Sequence, residues 1–230
     1  MVIVKVDGSI DFTFPPSGRD SQPSRYVLLD KSNSYKMLSN AWQFECECMI
    51  CPTHQCTPKR RKVSCAEKET CKAHPKTGLR AVDIAWFSDR RLYLIEVKDF
   101  NRPNAAVQTN FGNPQVLCHY LQSVARKFRD SLFAIWCGGC MASAASGTET
   151  EDLSHIRRMA DSISFVFHIE VPLVPYKSGF FSNQKVISLS TIRVKLGQYL
   201  GAELVDWLKV VDIDEMKKSS GILPWRTKRV

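Results

Sequence analysis

Two neighbouring apolar segments, residues 81–87 and 91–98, constrain the fold of this chain more than any other feature. Their sequences, AVDIAWF and RLYLIEVK, have the length and the β-branched and aromatic content of strands, with the polar connection SDR between them. If Asp89-Arg90 forms a two-residue turn, counting outward along both strands places Asp83 directly opposite Glu96. The sequence therefore predicts a β-hairpin in one defined register.

The two faces of this hairpin differ in character because side chains alternate along a strand. One face is wholly apolar or aromatic and consists of Val82, Ile84, Trp86, Tyr93, Ile95 and Val97. The other face carries its charges together at the end away from the turn and consists of Ala81, Asp83, Ala85, Phe87, Leu92, Leu94, Glu96 and Lys98. Since both faces are largely apolar, we expect both to be buried.

Asp83 and Glu96 need an explanation in such surroundings. Like charges directly opposite each other destabilise a sheet, and buried carboxylates are costly unless they are paired or bound to a metal. One divalent cation would satisfy both, and oxygen ligands of this kind suit Mg²⁺ or Mn²⁺. Lys98 emerges on the same face, where it either stabilises a pentavalent phosphate or helps to deprotonate water. The plainer interpretation is a Glu96–Lys98 ion pair at a sheet edge, with Asp83 solvated.

An acid on one strand followed by E-x-K on the next resembles the PD-(D/E)XK nuclease superfamily, which includes many restriction endonucleases and bacterial defence effectors. The matching residues are Asp83 and the triplet Glu96-Val97-Lys98, and the resemblance covers about residues 80–135 in the order strand, strand, helix. It implies that Asp83 and Glu96 bind the metal, that the carbonyl of Val97 adds a ligand, and that Lys98 assists catalysis.

Two positions of the family pattern are less well matched. Val82 stands where the family motif has its leading proline. The family often adds a glutamate from the preceding helix, for which Glu45 is the candidate catalytic residue and Glu47 the alternative. The resemblance further implies a restriction-endonuclease-like fold and cleavage inside a nucleic acid strand, with DNA favoured over RNA.

A segment rich in cysteine, lysine and proline, residues 46–78, is interpreted as an insertion in this domain. Cys48 and Cys51 form a C-x-x-C pair, and Cys71 and His74 form a C-x-x-H pair further along. Their spacing fits a structural zinc site, and the alternative is a loop with reduced thiols. The ligand set stays open because the segment offers further ligands in Cys46, His54, Cys56 and Cys65.

The net charge of +9 favours a polyanionic partner, and nucleic acid is the usual one, although a surface with excess lysine is the plainer alternative. Two clusters are candidate phosphate contacts. The first is a run in the middle of the insertion, Lys59, Arg60, Arg61 and Lys62. The second is the expected outer face of a long helix, with Arg126, Lys127 and Arg129.

The remaining periodicity predicts helices and strands around one core. Pro114 opens the strongest helix, whose apolar stripe is Leu117, Leu121, Val124, Phe128, Leu132 and Ile135. Further strands are predicted at 2–6, 162–171 and 186–194, and further helices at 34–45, 152–160 and 195–209. In the strand at 162–171, His168 and Glu170 either lie near the site or belong to the core. We therefore expect a single α/β domain over 1–230, with a mixed central sheet flanked by helices.

The expected function follows from the hairpin and the charge. The chain has no apolar run long enough to cross a membrane and no signal peptide, and its crowded cysteines suit a reducing compartment, so the cytoplasm is expected. The leading hypothesis is a Mg²⁺- or Mn²⁺-dependent DNA endonuclease. By analogy it is the effector of a prokaryotic defence system, with a partner protein supplying activation or specificity. The alternatives are a catalytically silent module that binds nucleic acid or a partner, and a zinc-organised interaction protein.

Overall fold

The computed structural model describes residues 2–6, 10–15, 25–29, 31, 79–100, 114–141, 155–171, 173–175, 183–185, 187–218 and 223–229. The strands are β1 (Val2–Val6), β2 (Ile10–Phe14), β3 (Arg25–Val27), β4 (Ile84–Ser88), β5 (Arg91–Asp99), β6 (Ser162–Glu170), β7 (Leu173–Pro175), β8 (Asn183–Lys185), β9 (Leu208–Val211) and β10 (Arg226–Arg229). The helices are α1 (Pro114–Met141), α2 (Leu189–Leu200) and α3 (Ile213–Lys218), with a helical turn at 155–159 and a 3-10 helix at Ala202–Trp207.

A five-stranded mixed sheet in the order β3-β4-β5-β6-β9 organises these elements. The strands β3, β4 and β5 are antiparallel, whereas β5, β6 and β9 are parallel. A three-stranded antiparallel sheet, β1-β2-β10, and a two-stranded ribbon, β7-β8, complete the described strands. The expected α/β class with a mixed sheet is confirmed.

The two faces of the five-stranded sheet are covered differently. On one face, α1 and α2 bury a core that includes Leu94, Phe128 and Leu196. On the other face, the three-stranded sheet contributes residues such as Phe12 to a core around Trp86. The central sheet was expected to be flanked by helices, and this is corrected for the second face, which is covered by aromatic side chains of a second sheet together with Met216 of α3.

The predicted hairpin and its register are confirmed. Asp89 and Arg90 have φ angles of 49° and 57°, and two positive φ values define the turn type whose twist suits a tight hairpin. Arg90 is secured by its guanidinium group, which donates two hydrogen bonds to Asp161, and by its carbonyl, which accepts from the Asp161 amide. The pairing runs from Ser88–Arg91 at the turn to Ile84–Ile95.

The hairpin residues pack alternately into the two cores, as the predicted faces require, with one exception. Every residue from Leu92 to Val97 is buried, and β5 is the middle strand of its sheet rather than an edge. Val82 was predicted to share a face with Ile84, but it packs in the helix-covered core. The reason is that β4 begins only at Ile84, so strand alternation does not extend back to Val82.

The long helix begins at Pro114 as predicted and continues to Met141, beyond the expected break at Gly138. Its predicted stripe is buried apart from the half-buried Leu132. The predicted helix at 152–160 is confirmed over 155–159, and residues 152–154 lie outside the described part of the chain. The predicted strand at 162–171 corresponds to β6.

The predictions for 186–209 are wrong except over 195–200, where the expected helix is present. A strand was expected at 186–194, but α2 occupies Leu189–Leu200. Ser188 caps α2 by accepting a hydrogen bond from the Thr191 amide at 3.1 Å, and Gly201, with φ of 107°, ends it in a conformation that suits glycine. The helix expected to continue to 209 gives way to the 3-10 helix and then to β9.

Several predictions lie outside the described residues: the helix at 34–45, the insertion at 46–78, the acid candidates Glu45 and Glu47, the zinc candidates Cys48, Cys51, Cys71 and His74, and the basic run from Lys59 to Lys62. Within the described part of the chain, no helix has an apolar stretch long enough to cross a lipid bilayer.

Candidate functional site

Asp83 and Glu96 come together where the hairpin opens, away from its turn. Asp83 occupies a bend directly before β4, one position beyond the Ile84–Ile95 pair, so its position in register is opposite Glu96. The Oδ2 atom of Asp83 accepts a hydrogen bond of 2.7 Å from the backbone amide of Val97. This bond ties the Asp83 carboxylate to the strand that carries Glu96.

Glu96 is completely buried and is contacted by two lysines. Its Oε1 atom lies 2.6 Å from Nζ of Lys127 and 3.2 Å from Nζ of Lys98. The two lysine side chains are 23% and 29% exposed, whereas that of Glu96 is fully buried. The Oε2 atom of Glu96 is buried and has no hydrogen-bond partner among the described residues.

The electrostatics of Glu96 reflect this environment. Burial raises the pKa of Glu96 above its ordinary range, and the nearby charge of Asp83 raises it further. The positive charges of Lys127 and Lys98 and the hydrogen bond from Lys127 oppose this rise without cancelling it. The Asp83 effect shows that the two acids interact, and a cation between them would relieve both the repulsion and the burial penalty.

Helix α1 positions the segment that carries Asp83. Ser131, which is fully buried, accepts a hydrogen bond of 2.9 Å at its Oγ from the Val82 amide. The carboxylate of Asp130 accepts one of 2.9 Å from the Arg80 amide. These two side chains satisfy backbone amides that precede β4, and they hold the chain in place immediately before Asp83.

Lys127 is the candidate site residue whose position the sequence interpretation predicted wrongly. It was expected on the outer face of α1, but its ammonium group points inward to Glu96. The signal was present in the sequence, because Ser123, Lys127 and Asp130 recur at spacings of four and three beside the apolar stripe. Such a polar stripe marks one side of the helix, and only packing shows that this side lies over the end of β5.

The other predicted phosphate contacts on α1 differ from each other. Arg129 is exposed, as expected. Arg126 is 24% exposed and its Nε lies 3.3 Å from Asp130, so its guanidinium group is held along the helix surface. No contact with Glu96 is seen for either arginine among the described residues. Their role in binding phosphate remains a prediction.

The site fits a divalent cation with few protein ligands. Asp83 and Glu96 offer two carboxylates, and the orphaned Oε2 of Glu96 is the kind of buried oxygen that a cation would satisfy. Among the described residues, no group of three or more histidines, cysteines and acids is placed to hold a metal. A pair is compatible with Mg²⁺, which commonly uses one or two carboxylates and retains several waters. For Val97 the recorded contact is through its amide, so its expected carbonyl ligand stays a prediction.

The plainer interpretation of the E-x-K triplet is partly right. Glu96 and Lys98 do form an ion pair. The pair lies on a central strand rather than at an edge, and the buried Glu96 carboxylate has a second lysine and a second acid beside it. An exposed strand with alternating charges does not account for that arrangement.

His168 and Glu170 belong to a different cluster. The ring of His168 stacks edge-on against Phe12 at 5.3 Å in the core below the three-stranded sheet, and its Nε2 lies 3.0 Å from Glu170. Arg229 bridges Glu170 and Asp99, with distances of 3.3 Å to each carboxylate. The core interpretation of His168 is thus confirmed, and this cluster fastens β10 to the ends of β5 and β6.

Comparison with known proteins gives no match: no protein-family model matches the chain, and neither a curated protein nor a solved structure shows significant similarity to it. The functional argument therefore depends on the geometry of Asp83, Glu96 and the two lysines.

Proposed function

We propose that this chain is a metal-dependent nuclease of the PD-(D/E)XK type that hydrolyses phosphodiester bonds. The observation that carries the proposal is the fully buried Glu96, opposite Asp83, with one carboxylate oxygen held by lysines and the other without a partner among the described residues. The order β4, β5, α1 is also the order strand, strand, helix on which the family resemblance rests.

The residues of the site would have the following roles in catalysis. Asp83 and Glu96 would hold Mg²⁺ or Mn²⁺, which when bound would act as a Lewis acid on the phosphoryl group. Lys98 is partly exposed beside Glu96, and its ammonium group donates to a phosphate oxygen as negative charge develops there. The amide of Val97 fixes the orientation of the Asp83 carboxylate. The apolar hairpin around these groups excludes water and strengthens each of these interactions.

The substrate and setting are proposed from the family resemblance and the net charge. DNA, cut within the strand, is the substrate favoured by the resemblance, and the net charge of +9 suits any nucleic acid. We place the activity in the cytoplasm, as the effector of a prokaryotic defence system whose partner protein provides activation or specificity.

A catalytically silent binding module is the second candidate. Two lysines already compensate the charge of Glu96, and a two-carboxylate group is smaller than many metal sites. Such a module would retain nucleic acid and leave it intact.

Cleavage of nucleic acid separates the two candidates. Supercoiled plasmid, single-stranded DNA and RNA are incubated with the protein in Mg²⁺, in Mn²⁺ and in chelator. Cleavage that requires metal and disappears in Asp83→Asn, Glu96→Gln and Lys98→Ala is expected. Asp214→Asn and Lys217→Ala are matched controls, since these side chains are 66% and 70% exposed. Full cleavage by the Asp83 and Glu96 variants contradicts the proposal. Binding of nucleic acid without cleavage under all conditions, including addition of a partner protein, also contradicts it.

A further inference from the structure

The contact between Lys127 and Glu96 is the unusual element of this site. Lys127 reaches from α1 to the strand β5 and approaches Glu96 Oε1 to 2.6 Å, closer than the 3.2 Å of Lys98. Both ammonium groups share that one oxygen, while Oε2 is turned into the protein without a partner among the described residues. A single carboxylate is thus held by two cations on one side and by none on the other.

A divalent cation and the Lys127 ammonium group compete for the same carboxylate. A metal bound by Glu96 and Asp83 would bring a double positive charge close to an ammonium group that is hydrogen-bonded to Oε1. Repulsion between like charges in a poorly solvated site is strong, so either the cation binds weakly or Lys127 moves away. Lys98 lies on the same strand as Glu96, whereas Lys127 belongs to the facing helix and reaches Glu96 from across the site through its flexible stem.

We infer that Lys127 is a positioning residue that occupies Glu96 in place of the cation and releases it when a nucleic acid phosphate draws its ammonium group away. The inference rests on the proposed function and adds to it a coupling between substrate and metal. Before substrate binds, Lys127 neutralises Glu96 and weakens cation binding. When phosphate is present, Lys127 donates to it instead, and the freed carboxylate takes the cation. Because linkage is reciprocal, nucleic acid tightens cation binding and the cation tightens nucleic acid binding by the same factor.

Exposure of the two lysines agrees with this role. The Lys127 side chain is 23% exposed, although its partner Glu96 is completely buried. Part of the Lys127 side chain is therefore accessible to a nucleic acid at the surface while α1 stays folded. A lysine whose only task was to neutralise a buried acid would keep the same contact in the presence and absence of substrate.

Isothermal titration calorimetry tests the inference. The whole chain, stripped of metal, is titrated with Mn²⁺ in the absence of nucleic acid. Glu96→Gln gives the baseline for Mn²⁺ bound elsewhere, and Lys217→Met is the control for loss of an exposed lysine. We expect Lys127→Met to bind Mn²⁺ at the Glu96-dependent site about tenfold more tightly than the wild type, a factor within the usual range of coupling between sites. Lys127→Arg, which keeps the positive charge, is expected to bind no more tightly than the wild type.

Equal or weaker Mn²⁺ binding by a folded Lys127→Met overturns the inference but leaves the metal site, and so the proposed function, in place. If no protein shows binding above the Glu96→Gln baseline, both fail together. A second measurement does not need Lys127→Met to fold: a short oligodeoxythymidylate should tighten Glu96-dependent Mn²⁺ binding by the wild type. No change on adding the oligonucleotide also overturns the coupling.

Discussion

Replacement of Lys127 by methionine tests how much the Lys127–Glu96 ion pair contributes to the free energy of unfolding. Methionine keeps much of the length of the lysine stem and removes its charge. Hydrogen bonds to charged groups contribute about 1.5–3 kcal/mol, and removing one partner of a buried ion pair costs about 3–5 kcal/mol. Because Lys98 remains 3.2 Å from Glu96, we expect the loss to lie at the lower end. The free energy of unfolding should fall by about 2–3 kcal/mol near neutral pH, which for a chain of this size lowers Tm by roughly 4–12 °C.

The pH dependence of this loss has a defined sign. Burial raises the pKa of Glu96, so its folded-state pKa lies above the value in the unfolded chain. Protonation of Glu96 therefore favours the folded state. This contribution to the free energy of unfolding is fully present below the unfolded-state pKa and is lost as the pH rises through the folded-state pKa. Removal of Lys127 removes one of the influences that lower this pKa. The destabilisation by Lys127→Met should therefore be smaller at about pH 5 than at about pH 8.

Urea unfolding in chelator, followed by circular dichroism at both pH values, provides the measurement. The set comprises Lys127→Met, Glu96→Gln, the double variant and Lys217→Met, whose exposed pair with Asp214 should contribute less than about 1 kcal/mol. The double-variant cycle should give a coupling of about 1–2 kcal/mol between Lys127 and Glu96. A coupling near zero, or a loss that is equal at both pH values, would refute the view that Lys127 stabilises an ionised, buried Glu96.

Three further predictions concern other parts of the structure. Ser131→Ala should lower the free energy of unfolding in urea by about 1–3 kcal/mol, because the amide of Val82 loses its acceptor in the interior. A decrease of less than about 0.5 kcal/mol would show that the amide finds another partner. Arg229→Ala should cost about 1–2 kcal/mol, since it leaves two largely buried carboxylates without this cation, whereas the exposed Lys228→Ala should change stability little; equal effects of the two would contradict the role of the bridge. Mn²⁺ should raise Tm more at about pH 8 than at about pH 6, because the cation needs an ionised Glu96 and burial raises the pKa of that group; a larger rise at the lower pH would argue against Glu96 as a ligand.

Local patterns in the sequence determined the hairpin and the positions of its acids. The turn at Asp89-Arg90 fixes the register, and the period of two then places Asp83 opposite Glu96 without reference to any other part of the chain. The long helix that begins at Pro114 was equally predictable, since its apolar stripe recurs over many turns. These features depend on interactions between residues close in sequence, which is why sequence alone sufficed.

The segment from 186 to 209 shows where local patterns mislead. Its β-branched residues, among them Thr191 and Val194, favour a strand. In the structure, Ile192, Leu196 and Leu200 are buried on one side of a helix that packs against α1 and the sheet. Burial of that apolar side outweighs the small intrinsic preference of the exposed residues, and it depends on partners that are distant in sequence.

The sequence by itself determined which residues carry the proposed chemistry, because an acid on one strand and E-x-K on the next are linked by a turn of two residues. Only the tertiary structure decided what surrounds them. Lys127 is 31 residues from Glu96, and the direction of its side chain depends on how α1 rotates and packs over β5. The second sheet on the opposite face likewise brings Phe12 to His168 from a distant part of the chain. Contacts of this kind arise from packing between elements, which no pattern within a single element encodes.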